Sequence, residues 1–188
     1  DQYVYRVYPK FEQVALAAPY NLIGSQEVFK FKITAVGLTD SFLRFDNVAA
    51  GSGSIKFEIV SSGAGGGNTS VSVLDENGVI LETETLTNDG DVGTDASFSF
   101  NFDNGDIEIQ GGSSKTFTIR MNSTTAYDNS TEGQRSYWQV VLNDTSATDT
   151  ALVNWVGNYA GADTALDTAS TAGVLKTLPL YGPTFTRL

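Results

Sequence analysis

Cysteine and histidine are both absent from the sequence, and their absence excludes several kinds of chemistry. Without cysteine the chain can form no disulfide, no iron–sulfur cluster and no thiolate nucleophile. Without histidine it lacks Ser-His-Asp and Cys-His catalytic systems and the commonest protein ligand for zinc and copper. Paired carboxylates alone can hydrolyse glycosides, but no acidic residue here lies in an aromatic-rich apolar context that would raise its pKa. We therefore predict that the protein is not an enzyme and has no cofactor, apart from Ca²⁺ as a candidate ion.

Basic residues are few, and long apolar runs are missing. Eleven Lys and Arg residues stand against twenty-two Asp and Glu residues, for a net charge of -11. Nucleic acids and anionic membrane surfaces bind through basic residues, so neither suits a chain this acidic. No apolar run approaches the roughly 20 residues of a membrane-spanning helix. We expect no nucleic-acid partner and no membrane span. Because the chain begins with Asp1 rather than methionine, we also expect a mature or trimmed product.

Proline is scarce, and its four copies lie near the two ends of the chain. The long stretch between them suits uninterrupted strands, because proline removes a donor from the hydrogen-bond ladder. Apolar residues alternate with polar ones there, most clearly at Phe29, Phe31 and Ile33. Asn77-Gly78 is the strongest hairpin signal. The sequence predicts an all-β, immunoglobulin-like β-sandwich of about ten strands with Gly/Ser/Thr-rich loops.

We predict a single domain over residues 1–188, with two distinctive ends. Residues 1–9 form an N-terminal strand that Pro9 closes, and residues 12–16 form a separate short strand. Residues 173–188 form an extended C-terminal segment. Residues 162–171 are the best place for a short helix.

The two tryptophans have different expected places. Trp155 is predicted to lie in the core. Both tryptophans could instead belong to an exposed platform that stacks on carbohydrate, together with Tyr137, Tyr159 and Tyr181. For Trp138 the core and the platform are equally open.

Five of the first eight residues are aromatic or β-branched, which is the composition of a half-buried strand. An unpaired apolar strand at a chain end is a template for association. It could be the first strand of its own sandwich, or it could add to an open sheet edge of a neighbouring copy. The predicted assembly residues are Tyr3, Val4, Tyr5, Arg6, Val7 and Tyr8.

An acidic loop between two predicted strands is a candidate calcium site. Asp89, Asp91 and Asp95 alternate with glycine and other residues, and Ca²⁺ binds six to eight oxygen ligands in flexible loops of this kind. No glutamate follows at the position that completes an EF-hand loop. A solvated turn without metal is the competing interpretation.

Four asparagines occur in the Asn-x-Ser/Thr pattern of glycan acceptors. Sequences rich in serine and threonine also produce this pattern by chance. The four candidate acceptors are Asn68, Asn122, Asn129 and Asn143.

Short motifs spread along the chain resemble those of one family, in the same order. The opening VYRVYPK of residues 4–10 is similar to its "V-Y-[KR]-[ST]-[FY]-P", and residues 112–120 are similar to its "G-t-s-K-T-F-t-[IL]-k". Residues 173–180 resemble its closing stretch. The family comprises immunoglobulin-like modules of secreted, S-layer-like surface proteins of ultrasmall candidate-phylum bacteria. The resemblance implies a cell-surface or adhesive module and no catalytic residues.

These observations leave two functional hypotheses. The first is an extracellular structural protein whose copies assemble into a surface filament or S-layer-like array by β-strand addition. The second is an adhesive or carbohydrate-binding module, with cell-surface glycans as partners and Ca²⁺ as a candidate ligand.

Overall fold

The computed structural model describes residues 6–17, 24–45, 55–62, 69–86, 96–100, 107–122, 136–143, 153–159, 162–167, 175 and 177–187. Within these ranges the chain is built of antiparallel strands and contains no helix. The strands are β1 (Val7–Gln13), β2 (Ser25–Gly37), β3 (Ser41–Arg44), β4 (Ile55–Ser62), β5 (Thr69–Leu74), β6 (Ile80–Leu86), β7 (Ala96–Phe100), β8 (Glu108–Gln110), β9 (Ser114–Asn122), β10 (Ser136–Leu142), β11 (Asn154–Tyr159), β12 (Ala162–Asp167), β13 (Leu180–Tyr181) and β14 (Phe185–Arg187).

The strands form three sheets. The first has the order β1-β2-β9-β5-β6, and the third has the order β12-β11-β3-β8. The second has the order β13-β10-β4-β7. β14 also pairs directly with β10, at residues 136–138, whereas β13 pairs with it at Val141 and Leu142. An isolated bridge between Ile55 and Val153 joins the second sheet to the third. The predicted all-β class is confirmed. The described residues contain fourteen strands, whereas the sequence predicted about ten for the whole chain.

Phenylalanine side chains fill the core between the first and second sheets. Phe29 and Phe31 project from β2 because alternate residues of a strand point to the same face. Their ring centroids lie 5.8 Å and 5.4 Å from that of Phe57 on β4. Phe57 in turn stacks on Phe98, its cross-strand partner on β7, at 5.3 Å. The two sheets are therefore held face to face by one continuous aromatic cluster.

A second aromatic contact brings in the third sheet. Phe11 on β1 lies 6.3 Å, edge to face, from Phe45, which follows β3. Trp155 on β11 is only 1% exposed, so the prediction that it is a core residue is confirmed. The core therefore extends from the first sheet to both of the others.

The hairpin predicted at Asn77-Gly78 is confirmed. β5 and β6 pair from Thr69↔Leu86 to Leu74↔Ile80, and residues 75–79 make the turn between them. Gly78 has a positive φ of 80°, a conformation that glycine adopts without a steric penalty. The local turn chemistry of the sequence thus fixes this connection.

The short helix predicted within residues 162–171 is wrong. Residues 162–167 form β12, which pairs with β11 from Tyr159↔Ala162 to Asn154↔Asp167. Asp163, Thr164 and Asp167 are weak helix formers, and Leu166 stands opposite Trp155 in the ladder. Pairing with β11 therefore outweighs the weak helical tendency of the segment.

Replacing the central phenylalanine is expected to destabilise the whole fold. Phe57→Ala should lower the free energy of unfolding by about 3–5 kcal/mol, because it opens a cavity among four other rings. Denaturant unfolding measures this loss. Val79→Ala is the control, because Val79 is 56% exposed. A loss for Phe57→Ala no larger than that of the control would contradict the central place of this ring.

Candidate functional site

β1 forms one edge of the first sheet, which we call the β1 rim. This edge contains the described part of the predicted assembly strand. β1 pairs with β2 from Val7↔Gly37 to Gln13↔Phe31. Val7 is buried, with 2% exposure, and Tyr8 packs against the core. These two residues therefore lie in their own sheet. Arg6 is exposed and interacts with another residue. Tyr3, Val4 and Tyr5 lie outside the described residues.

The backbone of β1 alternates between its partner strand and the outer side of the rim. The N–H of Val14, just after β1, donates to the carbonyl of Lys30 on β2 at 2.9 Å. The N–H of Phe11 instead donates outward, to Thr177 Oγ1 at 3.2 Å. Odd-numbered positions of the strand therefore turn their N–H groups away from β2.

This alternation explains why Pro9 lies inside β1. Pro9 is at an odd position, so the N–H that it lacks is not one that β2 would have accepted. The prediction that Pro9 closes the first strand is wrong, as is the separate strand at residues 12–16. β1 runs without interruption from Val7 to Gln13.

Two glycines make room for the start of β1. A Cβ added to Gly37 would meet the carbonyl oxygen of Arg6, and one added to Gly157 would lie 3.1 Å from the side chain of Val7. Gly37 ends β2 and Gly157 lies in β11. The first residue of β1 is thus seated between two strands of its own chain.

One carboxylate ties the outer face of β1 to β2. Glu12 accepts from Lys32 Nζ at 2.6 Å and from Lys10 Nζ at 3.1 Å. The hydrogen bond from Lys32, followed by that from Lys10, lowers the pKa of Glu12 below its ordinary value of 4.5. Glu12 is therefore charged at neutral pH and bridges two lysines on adjacent strands.

The other predicted site residues are dispersed or lie outside the described part of the chain. Asp89, Asp91 and Asp95 of the calcium prediction are outside it, as are the acceptor candidates Asn68 and Asn129. Asn122 ends β9, and Asn143 follows β10 half-buried with a polar contact. The structure leaves the calcium and glycan predictions untested.

One tryptophan of the predicted carbohydrate-stacking platform is buried and is therefore not available to stack on a ligand. Trp155 belongs to the core, whereas Tyr181 on β13 is 53% exposed. Trp138 pairs with Phe185 in the ladder between β10 and β14. The sequence did not identify Thr177 as the residue that caps the β1 rim, because contacts 166 positions apart leave no local pattern.

Among the residues that the structure describes, no helix has the length and apolar character of a membrane crossing. The same residues contain no group of three or more acidic side chains arranged to hold a metal ion.

The sequence matches no protein family, and no curated protein matches it. A solved structure titled "AvmM Catalyzes Macrocyclization in Alchivemycin A Biosynthesis" is similar to 86% of this chain, over 88% of its own, with 6% identity and a TM-score of 0.33. That protein is a catalyst by its title, so the prediction that the present chain is not an enzyme is withdrawn as a correction. A likeness this weak transfers neither an activity nor a catalytic residue.

Removing the cap of the β1 rim is expected to cost stability. Thr177→Val leaves the buried N–H of Phe11 without its acceptor and should lower the free energy of unfolding by about 1–3 kcal/mol. Thr177→Ser keeps the hydroxyl and should stay close to the unmodified protein in the same denaturant titration. Equal losses for the two variants would show that the hydrogen bond does not stabilise β1.

The Glu12 bridge predicts a pH dependence of stability. Because folding lowers the pKa of Glu12, its contribution is present above its unfolded pKa and is lost as pH falls through the folded value. Glu12→Gln should therefore be less stable than the unmodified protein at about pH 7, with the difference shrinking toward about pH 3. Urea unfolding at a series of pH values measures it. A difference independent of pH would contradict the ionic contribution.

Proposed function

We propose that the protein is an extracellular structural subunit whose copies assemble into a surface filament or S-layer-like array. The segment before β1 pairs with a sheet edge of a neighbouring copy. The motif resemblance at residues 4–10, 112–120 and 173–180 supports the surface role and the extracellular location. The all-β fold supplies the sheet edges that strand addition requires.

The observation that carries this proposal is the end of the β1–β2 ladder. β2 ends at Gly37, which stands opposite Val7. β2 therefore offers no ladder position to the residues before Val7. Those residues include Tyr3, Val4 and Tyr5, which have strong strand propensity. A strand-forming segment beyond the last position of its own ladder favours pairing with another chain.

The proposed assembly segment, residues 1–5, precedes the residues that the fold needs. Val7 and Tyr8 belong to the first sheet, so a deletion that reached Tyr8 would damage the sandwich and the assembly segment together. A deletion of residues 1–5 leaves every described ladder pair of β1 intact. The proposal is therefore tested with the shorter deletion.

The full chain is expected to form filaments or sheets at high concentration, and the chain lacking residues 1–5 is expected to stay monomeric. Negative-stain electron microscopy and sedimentation measure the two states. Tyr3→Lys/Tyr5→Lys should act like the deletion, because charges on an edge strand oppose pairing. Val79→Lys, which places a charge at an exposed apolar position in a turn, is the control and should still assemble.

Thermal unfolding of each variant shows whether a loss of assembly is caused by a loss of folding. The deleted chain should unfold at nearly the same temperature as the full chain, because its sheet is unchanged. Two outcomes would overturn the proposal: a full chain that remains monomeric, or assemblies that survive loss of residues 1–5.

A further inference from the structure

The outer face of the first sheet contains a polar cleft that is separate from the β1 rim. Its volume is about 430 Å³, within the range of small-ligand sites. Thr116 and Thr118 of β9 line it, with Lys30 of β2 on one side and the turn at residues 75–78 on the other. Glu27 and Arg120 extend the lining at one end.

Two irregularities in the strands shape this cleft. A bulge at Val28 places Glu27, rather than Val28, opposite Arg120, and it turns Val28 into the core. A second shift between Val73 and Leu74 leads into the turn. Leu74 and Thr118 are cross-strand partners on the outer face, yet they are only 1% and 7% exposed. The site is thus a recess in the sheet, not a flat surface.

The two positively charged residues that line the cleft are Lys30 and Arg120. Lys10 and Lys32, elsewhere on the same face, both bind Glu12. In the part of the chain that the structure describes, the side chains of Lys30 and Arg120 form no ion pair or hydrogen bond. Glu27 stands opposite Arg120 in the ladder but does not pair with it. Both residues are half-buried, in a chain of net charge -11.

The acidic residues of the cleft differ in their availability. Asp75 accepts from the N–H groups of Val79 at 2.8 Å and Asn77 at 2.9 Å, so its carboxylate is used within its own turn. These hydrogen bonds, that of Val79 first, lower the pKa of Asp75. Glu27 and Glu76 make no such contacts among the described residues. They remain available as acceptors beside the cations.

We propose that this cleft binds an acidic saccharide, with its carboxylate at Arg120 and Lys30 and its hydroxyl groups at Thr116, Thr118, Glu27 and Glu76. A guanidinium group matches the geometry of a carboxylate, and the lysine adds a second positive charge. Threonine hydroxyls both donate and accept, while carboxylates accept from sugar hydroxyls. The combination of free cations and free acceptors selects a ligand with one negative charge and several hydroxyls.

Glucuronate titrated into the isotopically labelled full chain tests this proposal. Amide NMR shifts should change at cleft residues, with a dissociation constant of about 1 mM. Arg120→Gln should weaken binding about tenfold or more, because it removes a charged hydrogen-bond partner. Lys115→Gln is the matched control: it removes a positive charge from β9 at the position opposite Ile33, outside the cleft lining. The control should bind glucuronate as the unmodified protein does.

Glucose and acetate test separately whether the carboxylate and the hydroxyl groups of glucuronate contribute to binding. Both should bind at least tenfold more weakly than glucuronate, because glucose lacks the carboxylate and acetate lacks the hydroxyls. Equal binding of either compound would overturn the proposal. So would the absence of shifts at the cleft, or equal weakening by Arg120→Gln and Lys115→Gln. Binding is measured on dilute monomer, so this result is independent of the assembly experiment.

Discussion

The contact between Phe31 and Phe57 is the interaction on which the rest of the structure depends. It joins β2 of the first sheet to β4 of the second, with 5.4 Å between ring centroids. Phe29 and Phe117 reach the same cluster from the first sheet, and Phe98 reaches it from the second. Each sheet has an apolar face that is stable only when covered, and these rings cover both faces at once. The outer faces are then free to carry polar chemistry.

Much of the fold could be predicted from local patterns in the sequence. The alternation at Phe29, Phe31 and Ile33 correctly predicts the inner face of β2, and Asn77-Gly78 correctly predicts a hairpin. Patterns fail where pairing with a distant strand decides the outcome. Pro9 looks like a strand end until the direction of its missing N–H is known, and residues 162–167 look weakly helical until β11 pairs with them.

The two regions for which a function is proposed, the segment before β1 and the cleft, differ in how far the sequence could reveal them. The aromatic composition before β1 is visible in the sequence, whereas the cleft depends on an extra residue at Val28 and on cross-strand neighbours. Strict alternation would have put Glu27 on the same face as Phe29 and turned it inward. The bulge brings Glu27 to the outer face beside Arg120. A one-residue change of register of this kind leaves no local signature.

The position of β9 has a consequence for how the chain folds. β9 lies between β2 and β5 in the first sheet, although it follows both of them by many residues. Until β9 is in place, β2 and β5 each have an unpaired edge, and Phe29 and Phe31 lack part of their cover. Strand pairs between residues so far apart in the sequence form more slowly than local hairpins, because long loops must close first. The first sheet is therefore complete only once its central strand has paired on both sides, and residues far apart in the sequence must meet for this to happen.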